Sequence, residues 1–506
     1  FKFLGATTAL LALAAGTAAA TTTVDSNTTT SLQTSTTTAG FNISGTTTVT
    51  NTVGIAAIEV SGTTAKNVIL ISSSAIVNGR AISGTIVGDG TEMINGATAT
   101  ITNYGAINAV AGNAIAISLT ATGAVTISGT GTISGSVTTG AGDDVITVEG
   151  STGAITGAVS TSTGADTINV RSGGTITGNI DLGAGANAVN VSGSTSSIVG
   201  NIVGLTGVDT ISITNSLVNG NVNVGAGDNV IRLSGSNAKI SGTITATAGA
   251  DTLNLSNGAT VAGAVDLGDT GANSISATSS TFGSSITGGG AVDTLLMSAT
   301  TVGGAIDLEE GNNVYTQTNG TVNGNVTGGT DDDTFIIDGG RINGNLDLEA
   351  GNNSLTTRNS AIISGTFATG NGNDTVTFGS GTVISGTTAF GNGTNLVSAT
   401  NTTFRGNVSL GTGTNTLYLV NSDLSGTLAM TGTDTVYISG STPFTQKGAF
   451  SGINTLNISE STVHSRYSLG TVDTLNLQRA AVLNVSTSQV LGSSGVVNVN
   501  ASTLNI

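Results

Sequence analysis

Apolar and polar residues alternate in short runs along most of the chain. After residue 140 a phrase of the form Gly-x-Asp/Asn-x-apolar-x-apolar recurs, as in GADTINV (164–170) and GADTLNL (249–255). The second and fourth residues after the acid or amide are apolar and their neighbours are mostly polar, which is the pattern of a strand with one buried face. The pairs predicted to point inward include Ile168/Val170, Ile211/Ile213, Ile231/Leu233, Leu253/Leu255, Phe335/Ile337, Val376/Phe378, Leu417/Leu419 and Leu475/Leu477.

The Asp or Asn of this phrase, here called the anchor, recurs every 19 to 22 residues from Asp144 to Asp473. The pattern predicts a second strand in the same coil, for example from Ile176 to Leu182, with Gly178 where a bend or a crowded interior leaves no room for a side chain. A repeat of this length is typical of a solenoid. The pattern therefore predicts an all-β fold, a right-handed parallel β-helix (β-solenoid) with about 20–21 residues per coil and about 22 coils.

The anchors alternate between Asp and Asn over twelve successive repeats. Asp and Asn suit Gly-flanked turns, and stacked Asn side chains can form a hydrogen-bonded ladder. Alternation also places like charges two coils apart, about 10 Å, instead of one coil apart. The predicted structural turn anchors are Asp166, Asn187, Asp209, Asn229, Asp251, Asn273, Asp293, Asn313, Asp333, Asn353, Asp374 and Asn395.

The regularity of the pattern divides the chain into segments. Residues 1–20 have a Lys2 n-region, an apolar stretch and a small-residue end, which predicts a signal peptide and an exported protein. Residues 21–39 are a Thr/Ser-rich lead-in. We expect irregular N-terminal coils over 40–140, regular repeats over 141–440, and divergent C-terminal coils or a cap over 441–506, where Pro443 interrupts the pattern.

Composition narrows the possible functions. The chain has 506 residues with 76 Gly, one Pro, no Cys, no Trp and one His. The absence of Cys excludes disulfides, thiol catalysis and Cys-ligated metals. The net charge of −17 and the absence of any basic cluster argue against a nucleic-acid partner. Only 8% of residues are charged and 3% are aromatic, which fits a thin aliphatic core with a Thr/Ser/Asn exterior.

Calcium is the first candidate ligand. The segments from Gly140 to Asp144 and from Gly370 to Asp374 resemble part of a calcium-binding nonapeptide, G-G-x-G-x-D-x-U-x. That motif encloses the ion when it occurs in immediate tandem, whereas here it occurs once per coil and half of the anchors are Asn. We therefore expect no cofactor, with calcium-dependent folding as the alternative.

A group of carboxylates at residues 307–349 is the second candidate. Its weak candidate metal ligands are Asp307, Glu309, Asp331, Asp333, Asp347 and Glu349. Paired carboxylates on one face also serve polysaccharide hydrolases, and lyases add a base, for which Arg341 is the nearest residue. However, Asp181 and Asp266 occupy the position of Asp307 in other repeats, so these acids follow the repeat. We expect no catalytic residue, and a polysaccharide hydrolase or lyase stays as the alternative.

Other side chains offer little chemistry. His464 is the single histidine and lies in a polar stretch, so we expect a surface residue and not the base of a serine triad. Tyr418 and Tyr437 could stack on glycans, whereas Tyr315 lies at a core-facing position and is expected to pack inside.

The phrases ITNYGAINAVAGNAI (101–115), GTISGSVTTGAGDDVITVEG (131–150), GNIDLGAGANAVNVSG (178–193) and AFSGINTLNIS (449–459) resemble passenger domains of Gram-negative autotransporters of the α-proteobacterial type. The resemblance covers roughly residues 40–506. It implies a β-helix displayed outside the outer membrane by a C-terminal β-barrel. No amphipathic strands with aromatic girdles follow residue 480, so we expect that the barrel lies beyond Ile506 or is absent from this chain.

This resemblance implies a secreted cell-surface β-solenoid with a structural or adhesive role. The expected localisation is the cell surface or outer membrane of a Gram-negative bacterium, or the extracellular medium. The expected partners are copies of the chain, glycans or other cell surfaces, and the solenoid would act in adhesion, self-association, a surface layer or a filament.

Overall fold

The computed structural model describes residues 124–506, except 269, 471 and 487–490, and the strands between Thr21 and Leu119. The expected signal peptide at 1–20 and most of the lead-in lie outside the described residues. The described chain contains strands and no helix, and it divides into an N-terminal unit, residues 1–262, and a C-terminal unit, residues 263–506. It is an all-β parallel β-solenoid of about 18 turns, in rough agreement with the 22 coils that the repeat length predicts.

Each regular coil contributes one strand to each of three parallel sheets. The first sheet takes the strand that follows the anchor, which has five residues in most coils, and the second and third sheets take strands that are shorter in most coils. The apolar run from Ile176 to Leu182, expected as one strand, forms Thr175–Ile176 in the second sheet and Ile180–Ala184 in the third. The chain turns a corner between them, and the Asn179 Oδ1 accepts the backbone N–H of Asn201 in the next coil at 2.9 Å.

The structure describes 33 strands in the N-terminal unit. Its first sheet comprises Thr21–Val24, Gly40–Ile43, Asn67–Ile71, Ala99–Asn103, Val125–Ser128, Val145–Glu149, Thr167–Arg171, Ala188–Ser192, Thr210–Thr214, Val230–Ser234 and Thr252–Ser256. Its second comprises Thr48–Thr50, Ile76–Asn78, Ala106–Asn108, Thr132–Ser134, Ala154–Ile155, Thr175–Ile176, Ser197–Ile198, Leu217–Val218, Lys239–Ile240 and Thr260–Val261. Its third comprises Leu32–Gln33, Ala56–Glu59, Arg80–Gly84, Ile115–Leu119, Ser136–Thr138, Val159–Ser160, Ile180–Ala184, Ile202–Thr206, Val222–Asn223 and Ile244–Thr245. Val87–Gly88 and Glu92–Met93 form a separate antiparallel pair.

Among the described residues of the C-terminal unit there are 34 strands. Its first sheet comprises Ser274–Thr278, Thr294–Ser298, Val314–Thr318, Thr334–Asp338, Ser354–Arg358, Thr375–Phe378, Leu396–Thr400, Thr416–Val420, Thr435–Ser439, Thr455–Ser459, Val472–Gln478 and Leu491–Asn500. Its second comprises Thr281–Phe282, Thr301–Val302, Thr321–Val322, Arg341–Ile342, Ile362–Ile363, Val383–Ile384, Thr403–Phe404 and Asp423–Leu424. Its third comprises Val265–Asp266, Ile286–Thr287, Ile306–Asp307, Val326–Thr327, Leu346–Asp347, Phe367–Ala368, Thr388–Phe390, Val408–Leu410, Leu428–Met430 and Phe450–Ser451. Phe444–Thr445, Thr462–Ser465, Val482–Val485 and Thr503–Asn505 form a fourth sheet.

The core consists of the inward residues of the three sheets. Every pair predicted to point inward is buried, and in the first sheet the pairs stack in register, so that Phe335 lies opposite Leu355. The C-terminal unit adds an aromatic cluster in which Phe367, Phe378, Phe390 and Phe404 meet edge to face at ring-centroid distances of 5.4 to 5.7 Å. Burial of such side chains is the main force holding the coils together, at about 1.5–3 kcal/mol each.

Glycine is required at the corner between the second and third sheets. A Cβ on Gly178 would collide with the backbone of Gly157 in the preceding coil, and a Cβ on Gly324 would lie 2.5 Å from the backbone nitrogen of Ala305. Successive backbones approach too closely there for any side chain. The position of Gly between two aliphatic residues, noted in the sequence, therefore marks this corner.

Candidate functional site

The anchors form a continuous column of hydrogen bonds inside each unit, here called the anchor ladder. The backbone N–H of each anchor donates to the side-chain Oδ1 of the anchor in the following coil. In the C-terminal unit the bond from Asp293 to Asn313 is 2.8 Å, the bond from Asn313 to Asp333 is 2.8 Å, and the bond from Asp333 to Asn353 is 2.9 Å. These side chains are all buried. The ladder thus satisfies a buried donor just before each of the first-sheet strands that follow these anchors.

The same ladder occurs in the N-terminal unit. It runs from Asp144 to Asp251 with donor–acceptor distances between 2.8 and 3.0 Å, through the anchors Asp166, Asn187, Asp209 and Asn229. In the C-terminal unit it continues through Asp374, Asn395, Asn415 and Asp434 to Asn454. Only a side-chain oxygen two bonds from Cβ is needed for this contact, which is why Asp and Asn alternate without changing it.

The Asn and Asp anchors differ in the second terminal atom of the side chain, which is Nδ2 in Asn and Oδ2 in Asp. The Asn313 Nδ2 donates to the backbone carbonyls of Leu308, Glu309 and Gly328 at 3.3 to 3.4 Å. The Nδ2 of Asn353 makes the same three contacts one repeat pair later, at 3.2 to 3.3 Å. The surroundings of this atom are therefore backbone carbonyl oxygens, which are acceptors and call for a donor.

An Asp anchor places a carboxylate oxygen where Asn places that donor. Burial raises the pKa of Asp293 and of Asp333 to about 7, and raises those of Asp144 and Asp251 to about 6. Hydrogen bonds from Asn313 lower the pKa of Asp333 in part, while the neighbouring Asp331 and Asp332 raise it. Burial also raises the pKa of three other Asp anchors, Asp166, Asp209 and Asp374.

A second ladder lies on the surface, one residue before the anchors, and is here called the outer ladder. The backbone N–H of Asp332 donates to the Asn312 Oδ1 at 3.1 Å, and that of Asn352 donates to the Asp332 Oδ1 at 2.6 Å. It continues through Asn373 to Thr394. Here each N–H bonds to the preceding coil, whereas in the anchor ladder it bonds to the following coil. This ladder was not predicted from the sequence, although its signal is an Asn or Asp directly before the anchor, at 312, 332, 352 and 373.

The carboxylates at 307–349 serve the turns that precede the anchors. The Asp307 Oδ1 accepts the backbone N–H of Glu309 at 3.3 Å and the Thr327 hydroxyl at 2.8 Å, and the Asp347 Oδ1 accepts the N–H of Glu349 at 3.0 Å. The N-terminal unit uses the same contact, from Gly183 to Asp181 at 3.1 Å. Carboxylates that repeat in this way cap turns, as Asx side chains commonly do.

The structure places the six candidate metal ligands in different surroundings. Asp333 is a buried anchor, whereas Asp331 is exposed and its Oδ2 accepts the backbone N–H of Gly311 at 2.8 Å. Burial, with Asp347 and Asp307 adding to it, raises the pKa of Glu349, so these carboxylates are close enough to repel one another. Within the described part of the chain, no group of three or more Asp, Glu, His or Cys side chains has an arrangement suited to a metal ion.

The remaining candidates occupy ordinary positions. Tyr315 is fully buried and its hydroxyl donates to the Gln317 Oε1 at 3.0 Å, so it packs inside as expected. His464 is half-buried, and its Nδ1 lies 3.3 Å from the Asn484 Nδ2. Tyr418 and Tyr437 are neighbours on the outer face of the first sheet and stack on each other with ring centroids 4.6 Å apart. The in-register pairing of their strands, which the sequence spacing alone left open, brings them together.

Comparisons with known proteins give one structural likeness. No protein-family model matches the chain, and no curated protein is similar to it in sequence. One solved structure that it resembles is a hyperactive, Ca2+-dependent, β-helical antifreeze protein from an Antarctic bacterium. The match covers 59% of this chain and 79% of that one, with 20% sequence identity and a TM-score of 0.30. No helix in the described residues has the length and apolar character that crossing a bilayer requires.

Proposed function

We propose that the chain is a structural and adhesive β-solenoid of the bacterial cell surface, of the autotransporter-passenger type, and that it is not an enzyme. The observation that carries this proposal is the arrangement of polar side chains on the outer face of the first sheet. Strands of four or five residues, stacked in register, present Thr, Ser and Asn side chains in rows, as at Thr334, Thr375 and Thr377. Such rows repeat one weak contact at about 4.8 Å intervals.

Repetition makes weak contacts useful. A hydroxyl or amide that binds a glycan or another chain alone holds it briefly, but many linked contacts raise the overall avidity by orders of magnitude. Amide ladders on this face, such as Asn476 to Asn457 at 2.8 Å and Asn498 to Asn476 at 2.8 Å, hold their side chains in fixed positions. Ordered side chains lose less conformational entropy when a partner binds. The partners we propose are glycans, other cell surfaces and further copies of the chain.

Adhesion can be tested with beads coated with the full chain. We expect coated beads to clump and to adhere to polysaccharide-coated surfaces more than beads coated with an unrelated acidic protein. A variant with Thr334→Glu, Thr375→Glu and Thr377→Glu adds charge to the outer face of the first sheet and should lose most of this adhesion.

A matched variant controls for the added charge. Thr281→Glu, Thr301→Glu and Thr321→Glu place the same three charges on the second sheet of the same unit, and adhesion should persist. Wild-type beads that neither clump nor adhere would overturn the proposal, and equal loss in both variants would overturn the assignment to the first sheet.

The alternative is a polysaccharide hydrolase or lyase that uses Asp307 and Asp347. The repeated turn-capping contacts of these carboxylates support the structural role. An Asn in the same position can cap the turn equally well, as Asn223 does for the N–H of Gly225 at 3.0 Å. We therefore expect the double variant Asp307→Asn, Asp347→Asn to keep its fold and to show the same absence of reducing-sugar or unsaturated-sugar release as the wild type. Release by the wild type that this variant abolishes would establish the enzyme instead.

A further inference from the structure

The Asp anchors differ from the Asn anchors in a single atom. In Asn313 and Asn353 that atom is Nδ2, a donor facing three backbone carbonyls. In Asp333 it is Oδ2, which lies beside Gly328 and near the Leu348 carbonyl, the equivalents of two of those three residues. The Oδ2 atom of Asp293 has the same position, since a Cβ on Gly288 would lie 2.5 Å from it and 2.8 Å from the Leu308 oxygen.

The second carboxylate oxygen of these Asp anchors makes no hydrogen bond of normal geometry in the described part of the chain. The Oδ2 atoms of Asp293, Asp333 and Asp374 are buried and have no hydrogen-bond partner among the described residues. An ionised carboxylate carries acceptors only, and a buried acceptor packed against carbonyl oxygens is unfavourable. A protonated carboxyl has one O–H, and it would donate to the carbonyl that an Asn anchor reaches through Nδ2.

The charged groups that face the ladder do not favour ionisation. The groups that act on these anchors are acids: Glu309 faces Asp293, both Asp331 and Asp332 face Asp333, and Asp332 also faces Asp374. The four ion pairs found among the described residues join Arg171 to Glu149, Arg358 to Asp338, Lys447 to Asp423 and Arg479 to Glu460. None of these pairs includes an anchor, so each supplies its positive charge elsewhere.

We propose that the buried Asp anchors hold a proton in the folded chain, each carboxyl donating an O–H bond to a backbone carbonyl as the Asn anchors do, and that the anchor ladder is thereby a pH-responsive device. The proton comes from water on folding and returns to water on unfolding. Mild acid tightens each coil that has an Asp anchor, which is every second coil from Asp166 to Asn395, and alkaline pH leaves a buried charge in each of them. The alternation of Asp and Asn then sets how much of the solenoid responds to pH, because the Asn coils keep their donor at any pH.

The raised pKa of Asp293 and Asp333, about 7 in each case because of burial, is consistent with this geometry. Both have Gly at the fifth position before the anchor, Gly288 and Gly328. In Asp374 this position is Thr369, whose hydroxyl lowers the pKa of the carboxyl in part. The Gly coils should therefore hold their proton to the highest pH.

Exchange between the two anchor types tests the proposal with little change of shape. Asp293→Asn with Asp333→Asn installs the donor permanently, and we expect it to raise the Tm at pH 8 and to reduce the fall of Tm between pH 5 and pH 8. The reverse change, Asn313→Asp, should lower the Tm at pH 8 and lower it far less at pH 5. Asp332→Asn, an exposed neighbour in the outer ladder, is the matched control; it removes one charge near Asp333 but leaves every anchor in place, so it should change the pH dependence far less.

Infrared spectroscopy of the full chain gives a readout that does not depend on stability. We expect a band of protonated carboxylic acid near neutral pH in the wild type that is reduced in the Asp293→Asn, Asp333→Asn variant and kept in Asp332→Asn. The proposal is overturned if this band is absent at pH 6 or if the wild-type Tm rises from pH 5 to pH 8. It is also overturned if Asp293→Asn with Asp333→Asn lowers the Tm and EDTA does the same, since a cation would then occupy the place of the proton.

Discussion

The buried anchor ladder and the exposed outer ladder lie on adjacent residues. Both use Asp and Asn side chains as acceptors, but their N–H groups bond in opposite directions along the stack of coils. Asp333 accepts the N–H of Asn313 in the preceding coil at 2.8 Å, and Asp332 accepts the N–H of Asn352 in the following coil at 2.6 Å. Burial raises the pKa of Asp333 to about 7, and Asp332 contributes to that rise through its charge. Water can replace an exposed acceptor, so the loss of that acceptor costs little stability. A buried acceptor has no such replacement, and its burial also raises the pKa of its own carboxyl group.

The pH dependence of stability should show the largest effect, because several anchors contribute together. A folded pKa raised above the unfolded value means that the folded chain binds more protons between the two values. Stability is then full below about pH 4 and falls as pH rises to about 7, the pKa of Asp293 and Asp333. Urea unfolding at a series of pH values measures this fall.

One exposed acid works in the opposite sense. A hydrogen bond from Asn359, with Arg358 adding to it, lowers the pKa of Asp338, and its contribution is lost as pH falls through the lowered value. Stability that stayed level from pH 4 to pH 7 would show that the buried anchors are ionised in the folded chain, and the contrast between the two ladders would not hold.

The second largest effect should be the difference in unfolding free energy between variants that lack one acceptor of either ladder. Asp333→Ala leaves the N–H of Asn313 buried without its acceptor and should cost about 1–3 kcal/mol of unfolding free energy. Asp332→Ala exposes the N–H of Asn352 to water and should change the unfolding free energy very little. Chemical denaturation of both variants at pH 5 makes the comparison, and equal losses would contradict it.

Calcium should have the smallest effect. The exposed carboxylates at 307–349 cap turns, and a proton completes the buried ones, so neither set needs a cation to hold the fold. We expect EDTA and millimolar calcium to leave the circular dichroism spectrum unchanged and the Tm nearly so. A large increase in Tm with calcium that is lost in the double variant Asp307→Asn, Asp347→Asn would contradict this expectation and show that the acidic turns bind calcium.

Much of the fold could be predicted because its signals are local. The inward pairs such as Phe335/Ile337 follow from the period of two, and the parallel coils follow from the fixed repeat. The split of Ile176–Leu182 into two strands was missed, because alternation continues through the corner and only the close approach of Gly178 to Gly157 breaks the sheet. The contact of Tyr418 with Tyr437 was missed for a similar reason, since it depends on strand register.

The sequence by itself determined the solenoid, its repeat and the residues that alternate along it, because each coil encodes the same short strand and turn. Only the tertiary structure decided what the Asp and Asn anchors do. Their role depends on contacts between coils that lie about 20 residues apart in the sequence. In Asp333, for example, one oxygen accepts the N–H of Asn313 and the other lies near the carbonyl of Leu348. Stacking removes water from these groups, and without water the difference between an amide and a carboxyl becomes a difference in protonation.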